Sequence, residues 1–197
     1  MEDQKTEPNF DESLVKENIR KIVMGRIGGE IEIEYNEVDE FDIEKPETQR
    51  LLSIIFIQNN AITFNLQISY SIDDALHFSS FKDTEKKSED EKRSMAKDFV
   101  NELCNMAGGG VKHIIEEDGL DALISLPFST RTEDANLFRA HPKGKTKEIH
   151  DQWMLESGKN SILCYTKMEV YDEKSLIEKI IPAFGGGEDA GGGVFFL

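Results

Sequence analysis

The chain has 197 residues, 38% of them hydrophobic, which is enough apolar material for the core of one domain of ordinary size. Its 23 Lys and Arg against 39 Asp and Glu leave a net charge of −16, which argues against nucleic acid or an anionic membrane surface as a partner. The two cysteines, Cys104 and Cys164, form no CxxC and suggest neither a zinc site nor a disulfide framework, so a soluble protein of the reducing cytoplasm is the default expectation.

Residues 1–10 read as a disordered acidic tail without the apolar run of a signal peptide. From Asp11, the apolar residues Leu14, Ile19, Ile22, Val23 and Ile27 fall at helical spacing, with Ser13 a candidate N-cap and Gly28-Gly29 a stop. IEIEY (31–35) alternates with period two and predicts a strand, and NEVDEFDIEKPET predicts an acidic loop. LLSIIFIQ and AITFNLQISYS are strand-like runs on either side of Asn59-Asn60, and the tolerance of asparagine for left-handed backbone predicts a hairpin turn there. LLSIIFI, the densest apolar run, is far too short to span a bilayer. IDDALHFSSFKD reads as a short helix or a loop. The charged stretch 82–94 leads into a helix from Glu89 to Glu117 that the glycines at 108–110 should interrupt.

Leu120 to Pro127 predicts an apolar strand, with FSTRTEDANLF its continuation or a loop, and HPKGKTKE (141–148) a basic loop. HDQWMLES and SILCYTKMEVYD predict an antiparallel pair turned at Gly158-Lys159-Asn160. EKSLIEKIIPAF predicts a short last helix, and residues 185–197 a flexible Gly-rich tail with an apolar VFFL tip. The sum is an α+β fold: two long helices packed on an antiparallel β-sheet as a loose internal duplication, in one domain over 11–184.

Most signatures of chemistry are absent from the sequence. His77, His113, His141 and His150 are scattered, HExxH does not occur, and GxSxG does not occur. GGGVKH is no phosphate loop, because a valine separates Gly110 from Lys112 and a helix, not a strand, precedes the glycines. What remains is the helix before them. Asp98, Glu102 and Asn105 are spaced by four and three, so they share one face, while Phe99, Val100, Leu103 and Met106 fall mainly on the other. That stripe is either an ordinary solvated face or a surface for a partner. Three consecutive glycines cost a helix interior about 3 kcal/mol relative to alanine, so they need a reason. Close packing of the helix on its own sheet is one. Close approach of another backbone, or a kink that aims a side chain, is another. Cys104, between Glu102 and Asn105, reads as a half-buried packing residue or a redox-sensitive thiol.

These residues resemble the CheC/CheX/FliY phosphatases of bacterial chemotaxis, which carry Asp/Ser-x3-Glu-x2-Asn and then, about 22 residues on, a proline. Asp98, Glu102 and Asn105 match the first three positions, and Pro127 follows Asn105 after 21 residues. In NMAGGGVK, Gly109 and Lys112 stand for the family's glycine and lysine, whereas Gly108 and Gly110 replace an alanine and an asparagine. SLPF resembles the family's strand ending in proline, and SIIFIQNNAITFNLQIS its hairpin. Aligning Gly25 with Gly108 puts Ile19 and Ile22 where Glu102 and Asn105 stand. The chain therefore resembles the single-site CheX-like branch.

The resemblance implies a phosphatase acting on the phospho-aspartate of a CheY-like receiver domain. Asn105 would position the attacking water and Glu102 would pair with the receiver's lysine. Asp98, Gly108, Gly109 and Lys112 would contact the partner, and Pro127 would be structural. The chain would need no cofactor of its own, with Mg²⁺ supplied by the receiver, and it would form a homodimer. Two alternatives stand beside this: a non-catalytic adaptor of the same architecture, resembling FliM, and a domain whose function lies in the VFFL tip as a docking peptide.

Overall fold

A computed structural model describes residues 11–39, 50–79, 81, 83–117, 119–132 and 147–184. The expected tails (1–10 and 185–197), most of the acidic loop and most of the basic loop lie outside them. The first helix, α1 (Glu12–Ile27), is capped by Asp11, whose Oδ1 accepts from the backbone N–H of Ser13 and Leu14. The cap is thus Asp11 rather than Ser13. Val15, Ile19, Val23 and Ile27 form its buried stripe. Residues 31–35 are not a strand; pairing begins one residue later, in β1 (Asn36–Val38).

The hairpin is β2 (Leu51–Gln58) and β3 (Ile62–Tyr70). Its turn works by a different device from the one expected. Among the described residues the only non-glycine at positive φ is Asp83. Asn59 instead folds its Oδ1 back to accept from the N–H of Ala61 and Ile62, at 2.8 and 2.9 Å. A short helix, α2 (Ile72–Phe78), starts from a capping box between Ser71 and Asp74.

The second long helix, α3 (Glu89–Glu117), runs 29 residues without a break through Gly108, Gly109 and Gly110. The expected interruption is absent. Ser88 and Glu91 cap its start reciprocally. The chain then adds β4 (Leu123–Ile124), β5 (Phe128–Arg131), β6 (Lys147–Ser157) and β7 (Asn160–Val170). The β6–β7 turn places Gly158 at φ +63, a left-handed angle that glycine adopts without strain. A last helical segment, α4 (173–184), contains a π-helical stretch from Leu176 to Ile180.

All pairings are antiparallel, in the order β1-β6-β7-β3-β2-β4, with β5 also on β2. α1 and α3 lie side by side across one face of this sheet. Trp153, Tyr70, Phe64 and Phe78 are fully buried in the core between the layers, together with Ile55 and Ile57 of β2 and Ile62 and Ile68 of β3. Among the described residues no helix is long and apolar enough to cross a membrane.

Glu12 ties the start of α1 to the start of β6. Its carboxylate meets Lys16 at 2.8 Å and Lys147, at the start of β6, at 2.9 Å. These two lysines hold its pKa at about 2, below the ordinary 4.5. A carboxylate whose folded pKa is depressed contributes stability at neutral pH and loses it as pH falls through that window. Glu12→Gln should therefore flatten the acid loss of stability between pH 4.5 and about 2, read by urea unfolding. An unchanged profile would mean that solvent screening cancels the pairing.

Candidate functional site

The expected face of α3 is present. Asp98, Glu102, Asn105 and Gly109 are exposed, while Ala96, Val100, Leu103, Cys104, Ala107 and Val111 are buried against the sheet and neighbouring helices. At about 100° per residue the four exposed positions fall within roughly 60° of arc, followed along the helix by His113 and Glu116. Among the described residues, no hydrogen bond or ion pair engages the side chains of Asp98, Glu102 or Asn105. Two carboxylates and one amide thus stand in a row with their hydrogen-bonding capacity unspent. Lys112 differs: it is tied to Glu116, one turn on.

The three glycines have separate explanations. A Cβ on Gly108 would sit 2.9 Å from Ile55 Cδ1 and 3.2 Å from Ile124 Cδ1. A Cβ on Gly110 would sit 2.9 Å from Arg26 Cγ and 3.3 Å from Ile22 Cγ2. Gly108 therefore lets α3 approach the sheet, and Gly110 lets it approach α1. Gly108, expected at the partner surface, is buried, so direct contact between it and a partner is ruled out by packing. Ile22, at the position in α1 equivalent to Asn105, is part of the same helix–helix seam. Gly109 alone faces open space, with nothing within 4 Å of a built Cβ. No contact among the described residues requires a glycine there. Gly109→Ala should stabilise the fold by about 0.5–1 kcal/mol, measured by chemical denaturation, because it removes backbone entropy from the unfolded chain. Destabilisation would mean that the helix is strained at this point.

Cys104 is fully buried, and that burial raises its thiol pKa well above the ordinary value. Of its two readings the packing cysteine fits. Pro127 is half-buried in a bulge. Ile57 pairs with Ile124 and Ile54 with Phe128, so two residues of β2 face three residues, Ser125 to Pro127. Ser125 repairs the ladder: its Oγ accepts from the Phe56 N–H at 3.0 Å and its N–H donates to the Phe56 carbonyl at 2.8 Å. A proline fits where the ladder needs no further donor.

One polar group was not foreseen. Ser53, Tyr70, Ser129 and Asn101 form a connected cluster beneath α3. The Ser129 hydroxyl donates to Asn101 Oδ1 at 2.9 Å, and Ser53 Oγ lies 2.9 Å from Ser129 Oγ and 3.4 Å from the Tyr70 hydroxyl. Ser53 is the serine inside LLSIIFIQ. It is fully buried on the same face of the sheet as Ile55 and Ile57. A serine at an inward strand position must find partners, and that was the available signal.

Among the described residues no group of three or more His, Cys, Asp and Glu side chains gathers as a metal site.

No protein-family model matches the sequence, and no curated protein matches it. Solved structures do match the fold. The chemotaxis protein CheX from Vibrio vulnificus aligns over 79% of this chain and 99% of its own, at 18% identity and a TM-score of 0.53. A CheC-like superfamily protein from a Shewanella species aligns over 79% and 97%, at 13% identity and a TM-score of 0.54. CheX in a CheX–CheY–BeF3–Mg complex from Borrelia burgdorferi aligns over 79% and 97%, at 13% identity and a TM-score of 0.52. Identities this low speak for the backbone alone, and on that ground the chain has the CheC/CheX-like α+β fold.

Proposed function

We propose that this chain is a phosphatase for the phospho-aspartate of a CheY-like receiver domain. The observation that carries the reading is the row Asp98–Glu102–Asn105, exposed on one face of α3 with no hydrogen-bond or ion-pair partner among the described residues, in a CheC/CheX-like fold. An acyl phosphate hydrolyses when water attacks phosphorus in line with the bond to the aspartate oxygen. The P–O bond breaks, and carboxylate and inorganic phosphate leave. An amide can accept from the water and donate to it, so it can orient the nucleophile without acting as a strong base. Asn105 would do this at the receiver's phosphorylation site. Glu102, one turn earlier, would pair with the receiver's lysine and set the helix in register. Asp98 extends the acidic row, and Gly109 leaves room for the receiver's backbone. Mg²⁺ would arrive with the receiver. That one structural neighbour is a CheX bound to CheY supports a partner of this kind.

The test is the decay of phosphorylated receiver domains from the same organism, with and without this protein. Acceleration by substoichiometric protein supports the phosphatase. Binding without acceleration would instead favour an adaptor, and neither with any receiver would sink both readings.

A homodimer, also implied by the resemblance, would find apolar contact at the sheet edge. Leu123 and Leu126 there are 81% and 85% exposed. Leu126→Lys should then convert a sedimenting dimer to a monomer; a wild-type monomer at high concentration would end the idea.

A further inference from the structure

Apolar packing holds α3 on the sheet through contacts without a preferred direction. Leu103, Ala107 and Val111 offer non-directional contact, and Gly108 and Gly110 present smooth backbone to Ile55 and α1. Small rolls of a helix seated this way are opposed most sharply by contacts that have a preferred direction. Small angles matter at the exposed face. A side chain tip about 6 Å from the helix axis moves about 2 Å for a 20° roll. Displacements of about 1 Å at a reacting centre can cost a hundredfold in rate.

Among the described residues, one directional contact runs from the middle of α3 to β5. Asn101 immediately precedes Glu102 and lies one turn before Asn105. Its Oδ1 accepts the Ser129 hydroxyl at 2.9 Å. Ser129 is held in turn by Ser53 Oγ at 2.9 Å and by the Tyr70 hydroxyl at 3.5 Å. Ser53 and Tyr70 are both 0% exposed, so the far end of the chain is anchored in the core. The cluster spans β2, β3 and β5 and ends on the helix. A hydrogen bond with a preferred direction at one azimuth of α3 sets that azimuth.

We infer that the Asn101–Ser129 hydrogen bond, backed by Ser53 and Tyr70, fixes the rotational setting of α3 and so aims Glu102 and Asn105. Asn101 and Ser129 are positioning residues in this account, which rests on the phosphatase reading for its kinetic consequence but not for its structural one. Neither side chain needs to touch the receiver.

The experiment compares wild type with Ser129→Ala, Asn101→Ala, the double variant and Ser129→Thr. Two readouts are taken. The first is kcat and KM on a receiver phosphorylated by acetyl phosphate. The expected result is a loss in kcat of about tenfold or more for each single variant, with KM changed less than about threefold. The double variant should be no worse than either single, because both remove one contact. Ser129→Thr, which keeps the hydroxyl, should recover most of the rate. The second readout needs no activity: the side-chain amide resonances of Asn105 by 15N NMR. They should shift or broaden in both alanine variants and return in Ser129→Thr. Unchanged Asn105 resonances in a folded alanine variant would overturn the inference. So would a lower melting temperature with unaltered kcat, the outcome of a merely structural contact. If wild type itself accelerates no decay, the phosphatase reading falls and the NMR comparison alone decides the positioning. Should Ser129→Ala fail to fold, Asn101→Ala, on the half-exposed helix side of the contact, carries both readouts.

Discussion

Asn105→Ala should slow receiver dephosphorylation by about a hundredfold or more while leaving the protein slightly more stable. The two signs come from the same geometry. The Asn105 side chain is exposed on α3 and bonds to nothing among the described residues, so its removal leaves no cavity and no orphaned partner. Asparagine is a poorer helix former than alanine by a few tenths of a kcal/mol, so the folded state gains slightly. On the proposed reading the loss is confined to the transition state, where the amide that would orient the water is gone. The change should appear in kcat, with affinity for the receiver nearly intact. Glu102→Ala should behave differently. The proposed ion pair to a receiver lysine would act in ground state and transition state alike, so its loss should raise KM before it lowers kcat. Retained turnover in Asn105→Ala would remove the water-positioning role outright. Lost turnover together with lost stability would mean that the amide serves the fold.

That row of residues was legible because a period of 3.6 is enough to sort a helix into faces, so a polar row opposite an apolar one needs no tertiary information to be seen; its lack of partners did. The glycines were half legible. Their cost pointed to a reason, and close packing was among the reasons considered. Only the neighbours Ile55, Ile124, Ile22 and Arg26 reveal that Gly108 and Gly110 serve packing and that Gly109 does not. The helix runs on because burial along its other face outweighs about 3 kcal/mol of propensity. IEIEY misled for a related reason. Ile31 is buried and Ile33 half-buried against the core, whereas Glu32 and Glu34 are exposed, so the alternation is real. It records one-sided burial, not hydrogen bonding; the partner strand begins opposite Asn36. The Asn101–Ser129 contact joins residues 28 apart across a helix and a strand, and no local pattern encodes it.

Arg20→Ala should destabilise the protein by about 3 kcal/mol, which for a chain of this size lowers the melting temperature by roughly 6–12 °C. Arg20 is the hub of the other end of the sheet. Its Nε and one terminal nitrogen grip both Asp151 oxygens, at 2.8 and 2.7 Å, and its other nitrogen reaches Glu37 at 3.1 Å and also Asp39. The guanidinium lies 5.0 Å from the Trp153 ring centroid. These carboxylates raise its pKa further, led by the bonds to Asp151. Only 19% of the Arg20 side chain and 14% of that of Asp151 are exposed, so alanine would strand a carboxylate with little water to take over. The fork matters as much as the charge. Arg20→Lys keeps the cation but cannot make the bidentate grip, and should recover less than half of the loss. The damage should also be local before it is global. β1 has only three residues paired to β6, and Glu37 lies within it, so its amides should exchange faster in Arg20→Ala at temperatures where the core is still protected. α3 presents its polar row from another part of the layer, and receiver dephosphorylation measured well below the melting temperature should be unaffected. A loss under 0.5 kcal/mol would class the cluster with solvent-screened surface pairs. Slower dephosphorylation in a fully folded Arg20→Ala would instead mean that the edge held by β1 and α1 governs how α3 is seated.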